Sequence, residues 1–209
     1  RARVGFLVAE INGLNPIEKI LYLENRPSIQ FTTLSLDVGS QTNLRSVDFK
    51  FPQEDVVTPI KPFDRAIKWI ESLDRYSDLI DEKPFSIIGS GLAALEITFA
   101  LRKRWPNRSL QLRIFPQKIN KKMKDYLLSE RIDLINNDKL ITGPVLLCTG
   151  NDYPEWFKTC GLPIDSSGRI LTLTTFQAIE HPNIFAVGDC GVIEKYRRPS
   201  SGVWAVRAS

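Results

Sequence analysis

Residues 85–96 read Phe85-Ser86-Ile87-Ile88-Gly89-Ser90-Gly91-Leu92-Ala93-Ala94-Leu95-Glu96. By composition the first four residues form a short buried strand. The glycines close a turn, and Leu92 opens a run whose apolar residues return at helical spacing. Gly89, Gly91 and Ala94 match G-x-G-x-x-G/A, a weak pattern taken alone. Here it follows a strand, opens a helix, and is followed about twenty residues later by a second strand, Leu110-Gln111-Leu112-Arg113-Ile114-Phe115, as a dinucleotide-binding unit requires. In such a unit Gly89 turns the chain, Gly91 lets a pyrophosphate approach the backbone, and Ala94 is small enough for close helix–strand packing. The N–H groups at the helix start face the phosphates. The candidate binding residues are therefore Gly89, Ser90, Gly91, Leu92, Ala93 and Ala94.

Working outward, residues 64–73 place Ala66, Ile67, Ile70 and Leu73 at helical spacing, with Asp64 as N-cap. The spacing also predicts a helix over 92–105, with Leu92, Leu95 and Phe99 on one side, and another over 121–129. A strand is expected within 140–149. This β-α-β-α-β alternation predicts parallel strands with helices over the faces. Strands at 3–10, 20–25 and 31–38 make the opening β-rich, and further strands at 169–174 and 184–187 close the chain. Prolines 52, 59 and 62 mark a crossing between domains. The expected organisation is 1–57 as the first piece of one domain, 58–150 as the inserted dinucleotide domain, and 151–209 as the second piece.

The 209 residues are 43% hydrophobic and 25% charged, which excludes a disordered chain. Three cysteines exclude a disulfide scaffold. No signal or transit sequence is read at the start, and the longest mostly apolar stretch, residues 85–101, is too short and too interrupted by Glu96 and two glycines for a membrane span of about 20 residues. A soluble, cytoplasmic protein is expected, with peripheral membrane attachment as the alternative.

Residues 102–124 hold nine basic residues and no acid, and the rest of the chain is net negative. A solvated helix end and loop explain such a block, and a phosphate would also be drawn to it. No nucleic-acid-binding module accompanies it, and no nucleic acid is expected as a partner. The acid that normally ends the second strand and accepts from the adenosine ribose is absent: the strand runs into Pro116-Gln117-Lys118, with Arg113, Lys121 and Lys122 nearby. NADP is therefore expected to bind at least as well as NAD. Cys148, Cys160 and Cys190 form neither C-x-x-C nor a zinc-spaced cluster. His181 is the one histidine, and no nucleophile elbow accompanies it.

Three further segments join the glycine loop: Phe31-Thr32-Thr33-Leu34-Ser35-Leu36-Asp37-Val38-Gly39-Ser40, Leu146-Leu147-Cys148-Thr149-Gly150, and Thr175-Phe176-Gln177 with His181-Pro182-Asn183-Ile184-Phe185-Ala186-Val187-Gly188-Asp189. In this order the chain resembles pyridine nucleotide-disulfide oxidoreductase-type flavoproteins. It is similar to the type II NADH dehydrogenase-like proteins and, more narrowly, to the oxidoreductase portion fused to selenide, water dikinase. The narrower likeness rests on residues 34–40, on Lys61-Pro62-Phe63-Asp64 and on residues 198–207.

The resemblance implies an α/β fold, a Rossmann-like NAD(P)-binding domain inserted in a partial FAD-binding domain with antiparallel β segments. It implies FAD and NAD(P)H as cofactors, with hydride passing from NAD(P)H to flavin and on to a small-molecule or quinone acceptor. Glu96 would lie near the nicotinamide side, Gly150 would let backbone approach the cofactor, and Gly188 and Asp189 would meet the FAD sugar–phosphate. Hydride transfer demands no acid or base, so no catalytic side chain is assigned, and no metal site is expected. The family's first glycine motif is not found, so the chain reads as an internal fragment that alone would be inactive. The alternative is a non-catalytic nucleotide-binding or regulatory module associated with a fused or separate selenide, water dikinase-like partner.

Overall fold

The computed structural model describes residues 4–44, 57–74, 83–89, 91–113, 119–135 and 141–196. Ser90, Lys118, Pro52 and the segment 198–207 lie outside the described residues. The chain divides into two compact units, Arg1–Ser40 with Asp152–Ser209, and Gln41–Asn151.

In the first unit, β1 (Ile11–Asn15), β2 (Ile20–Leu23) and β3 (Ile29–Gln30) form an antiparallel meander. The chain continues through β4 (Leu34–Leu36) to β5 (Gln41–Thr42). The strand expected at 3–10 does not form: residues 4–10 carry no regular structure, and Val4, Phe6 and Val8 stay exposed. β-branched and aromatic composition alone makes no strand where no neighbour supplies the ladder. The first strand is instead the segment after it.

The second unit adds β6 (Val57–Pro59), α1 (Phe63–Asp74), β7 (Phe85–Ile88), α2 (Leu92–Arg104), β8 (Leu110–Arg113), α3 (Lys121–Ser129), β9 (Ile132–Ile135) and β10 (Val145–Leu147). Its five strands lie parallel in the order β6-β10-β7-β8-β9. β6 forms inside the proline-rich stretch read as a crossing; it is an edge strand, where Pro59 costs no ladder bond. The short strand β5 pairs with β11 (Asn151–Asp152) where the chain enters and leaves this unit.

Phe85, Ile87, Leu110, Leu112, Ile132 and Leu146 pack against Ala66 and Leu73 of α1, Ala94 and Leu101 of α2, and Leu127 of α3. Ile88, Val145 and Leu147 take the other face with Ile141. The central strands β7 and β10 are buried on both faces, which explains why they read as short apolar runs. Two sequence readings shift. Asp64 lies inside the first turn of α1 rather than capping it. The buried face of α2 is Ala94, Thr98 and Leu101, while Leu92 is 76% exposed.

Back in the first unit, β12 (Ile170–Thr172), β13 (Gln177–Ala178), β14 (His181–Ala186) and β15 (Gly191–Ile193) complete a sheet ordered β15-β12-β13-β14-β4. β14 and β4 are parallel, with Ile184 opposite Leu34 and Ala186 opposite Leu36.

Much of the basic block is structural. The Arg102 guanidinium donates to the carbonyls of Trp105, Pro106, Arg108 and Arg131, at 2.6 to 3.1 Å. Arg108 is buried, with its guanidinium carbon 4.6 Å from the Trp105 ring centre. Arg113 is 3% exposed at the end of β8. Lys103, Lys121, Lys122 and Lys124 remain exposed. Arg104 donates twice to Asp74, which also accepts from the Trp105 indole N–H at 2.6 Å.

Asp74 ends α1, where a carboxylate opposes the helix dipole. The Arg104 guanidinium nevertheless holds its carboxyl below the usual carboxylate value, with the Trp105 indole adding to the shift. A depressed folded value stabilises the fold above the ordinary carboxylate pKa of about 4, and that contribution fades as pH falls through the folded value. Asp74→Asn is expected to melt a few degrees below the parent at pH 7, with the gap closing below about pH 4. Parallel melting curves of the two proteins from pH 3 to 8 check this; a pH-independent gap would contradict it.

Candidate functional site

All five strands of the second unit's sheet end on the same edge. The chain visits β7, β8 and β9 in one direction, then returns past β7 to β10. The order reverses between β7 and β10, and ligands of open parallel sheets bind in the crevice at such a switch point. The glycine loop lies there. Cys148 N donates to Ile88 O at 2.7 Å, so the exits of β7 and β10 run in backbone contact. A Cβ on Gly89 would overlap the Cys148 carbonyl oxygen, lie 2.9 Å from its carbonyl carbon and sit 3.0 Å from the Ala94 methyl. The glycine is demanded by the neighbouring strand more than by the turn.

Gly91 is different. It is the N-cap of α2, in extended backbone with no side-chain cap, and a Cβ there would meet nothing within 4 Å. At the start of α2 the space on the side-chain side of Gly91 is thus open. Leu92 and Ala93 are exposed on the same turn, Ala94 is fully buried against the sheet, and Glu96 is exposed one turn on. Gly150 follows β10 and is exposed; its carbonyl accepts from Asn43 N at 3.1 Å. The loop, the helix start and Gly150 therefore share one edge. A groove of about 510 Å³ among the described residues of this unit lies elsewhere, lined by Phe99, Arg102, Lys103 and Tyr126 toward the far end of α2, roughly 15 Å along a helix rising 1.5 Å per residue.

The first unit has a second constellation. β4 and β14 end side by side, releasing Asp37 and the 3-10 turn Gly188–Cys190 at one edge. Gly188 has φ +65, and a Cβ on it would lie 2.5 Å from Asp37 Oδ1. Asp189 Oδ2 accepts from Ser40 Oγ at 3.0 Å. Two carboxylates and a hydroxyl thus converge around a glycine with left-handed backbone. Asp37 and Ser40 join this constellation without being marked as site residues by the sequence. The available signal was the repeat of one pattern, an acid just after a short apolar strand, at Asp37 and again at Asp189.

Burial pushes the Cys148 thiol up to about 12 and raises Cys160 and Cys190 as well. All three are free and buried, which suits packing and not a thiolate relay. Among the described residues no acid, cysteine or histidine cluster is arranged for a metal, and no helix is long and apolar enough to cross a membrane.

A water-forming NADH oxidase from Lactobacillus brevis, bound to NADH, superposes with TM-score 0.74 at 16% identity, over 95% of this chain and 50% of that one. A FAD-dependent pyridine nucleotide-disulphide oxidoreductase from Desulfovibrio vulgaris gives 0.68 at 18%, over 95% and 58%. The fold is that of the FAD/NAD(P)-binding oxidoreductases. By sequence, ferroptosis suppressor protein 1 of Xenopus tropicalis is 22% identical over 235 aligned positions, 91% of this chain and 58% of that protein. The chain thus spans about half to three-fifths of the length of these three proteins. No protein-family model matches it.

Proposed function

We propose that this chain supplies the NAD(P)H-binding part, and a portion of the flavin domain, of an FAD-dependent oxidoreductase that passes hydride from NAD(P)H to flavin and on to a small-molecule or quinone acceptor. The observation that carries the reading is the uncapped, unobstructed start of α2 at the switch point, held close to β10 by Gly89. A dinucleotide pyrophosphate fits that edge: Gly91 presents backbone, Ala93 is small, and Ser90 belongs to the same loop in sequence. Asp189, Gly188 and Asp37 suit the hydroxyls of a flavin dinucleotide, since carboxylates accept from sugar hydroxyls. Bound flavin supplies the hydride-accepting ring. This chain's residues bind and orient, and none is required to move a proton.

The lack of an acid in residues 114–118 supports NADPH as a donor at least as good as NADH. Residues 34–40 and 61–64 support the narrower likeness to the oxidoreductase portion fused to selenide, water dikinase, and hence a fused or associated partner of that class. The test is the visible spectrum of the intact protein before and after anaerobic NADPH or NADH. A flavin band that bleaches is the expected result. A protein that holds no flavin after reconstitution would leave a nucleotide-binding module instead.

A further inference from the structure

The sheet edge that carries the glycine loop also carries the ammonium group of Lys61. Lys61 follows β6, the strand beside β10: Pro59 stands opposite Leu147, and Ile60 N donates to Leu147 O at 2.9 Å. Lys61 N is fixed on Thr42 Oγ1 at 3.0 Å, and its Nζ donates to Asn151 Oδ1 at 3.3 Å. Asn151 comes directly after Gly150. The half-buried side chain is thus directed along the edge to the exit of β10, on the side of the switch point away from β8.

The direction of a bound dinucleotide follows from the topology. The adenosine half lies toward the end of β8, the second strand of the βαβ unit, and the pyrophosphate lies over the loop after β7. The other half must then extend over the exits of β10 and β6. We infer that Lys61 is a binding residue for the nicotinamide half of NAD(P)H, with its ammonium donating to the ribose hydroxyls or the carboxamide oxygen. An ammonium offers three donors and both groups are acceptors. Asn151, by holding Nζ, is a positioning residue for that contact. The inference deepens the proposed dinucleotide site and depends on it.

Affinity for different parts of the ligand separates the two. The full chain would be titrated calorimetrically with NADH, NADPH and 5′-ADP, which carries only the adenosine and pyrophosphate portion. Lys61→Met is expected to weaken NADH and NADPH by about tenfold, the worth of one charge-assisted hydrogen bond, while 5′-ADP binds as to the parent. Lys61→Arg should recover part of the loss. Circular dichroism confirms that each variant is folded. Equal weakening for 5′-ADP, or unchanged NADH and NADPH affinity in folded Lys61→Met, would overturn the assignment of Lys61. A parent protein that binds neither NADH nor 5′-ADP would overturn the dinucleotide site itself.

Discussion

Gly89→Ala is expected to lower the melting temperature of the protein by on the order of 10 °C, although it adds one methyl group. The methyl would enter the space of the Cys148 carbonyl, which is backbone and cannot rotate away. Relief requires β7 and β10 to separate, at the expense of the 2.7 Å bond from Cys148 N to Ile88 O, or α2 to lift off the sheet at Ala94, itself fully buried. Overpacking a tight core costs about 1–3 kcal/mol, and a lost buried backbone bond adds to this. For a unit of this size about 2–3 kcal/mol corresponds to the stated shift. Nucleotide binding should fall too, because the loop moves with the strand ends. Thermal melts followed by circular dichroism, with Gly91→Ala as the control, would decide it. Coincident melting of Gly89→Ala and the parent would mean that the strands are not in the contact described.

The contrast between these glycines shows what the sequence could and could not reveal. The strand-turn-helix pattern at 85–104 marks the loop because a short apolar run, two glycines and a long helical period are all local signals. Which glycine serves the ligand and which serves the fold is not local: Cys148 is 59 residues from Gly89 in the chain, and only the β10-β7 pairing brings them together. Lys61 and Asn151 were invisible as a pair for the same reason. The strand expected at 3–10 does not form because its β-branched and aromatic composition is intrinsic to the segment while a ladder partner is not. The basic block shows the reverse error. Charge counting treats nine cations as equivalent, whereas Arg102, Arg104 and Arg108 are taken up by carbonyls, a carboxylate and an indole ring. The charge left for a ligand is smaller than the sequence suggests, and among the described residues it sits mainly on the lysines around α3.

Gly91→Asp is expected to abolish nucleotide binding while leaving the protein as stable as the parent or slightly more so. The backbone at Gly91 is already extended, at φ −95 and ψ 173, a conformation open to any residue. A Cβ there meets nothing within 4 Å, so no packing is lost. Asp is a better N-cap than Gly by a few tenths of a kcal/mol. A carboxylate at a helix start adds about 0.3–1 kcal/mol through the dipole, and the melting temperature should rise by about 1–3 °C. The same carboxylate occupies the place where a pyrophosphate would accept from the first N–H groups of α2. At about 4 Å, like charges near a protein surface repel by roughly 4 kcal/mol at an effective dielectric of 20. Even after solvent screening, NADH, NADPH and 5′-ADP should all bind at least about 100-fold more weakly. Gly91→Ala, which adds bulk without charge, should lie between the two in nucleotide affinity. A stable Gly91→Asp protein that still binds NADPH as the parent does would place the pyrophosphate elsewhere. Loss of stability together with binding would mean that the start of α2 is not the open, uncapped end described here.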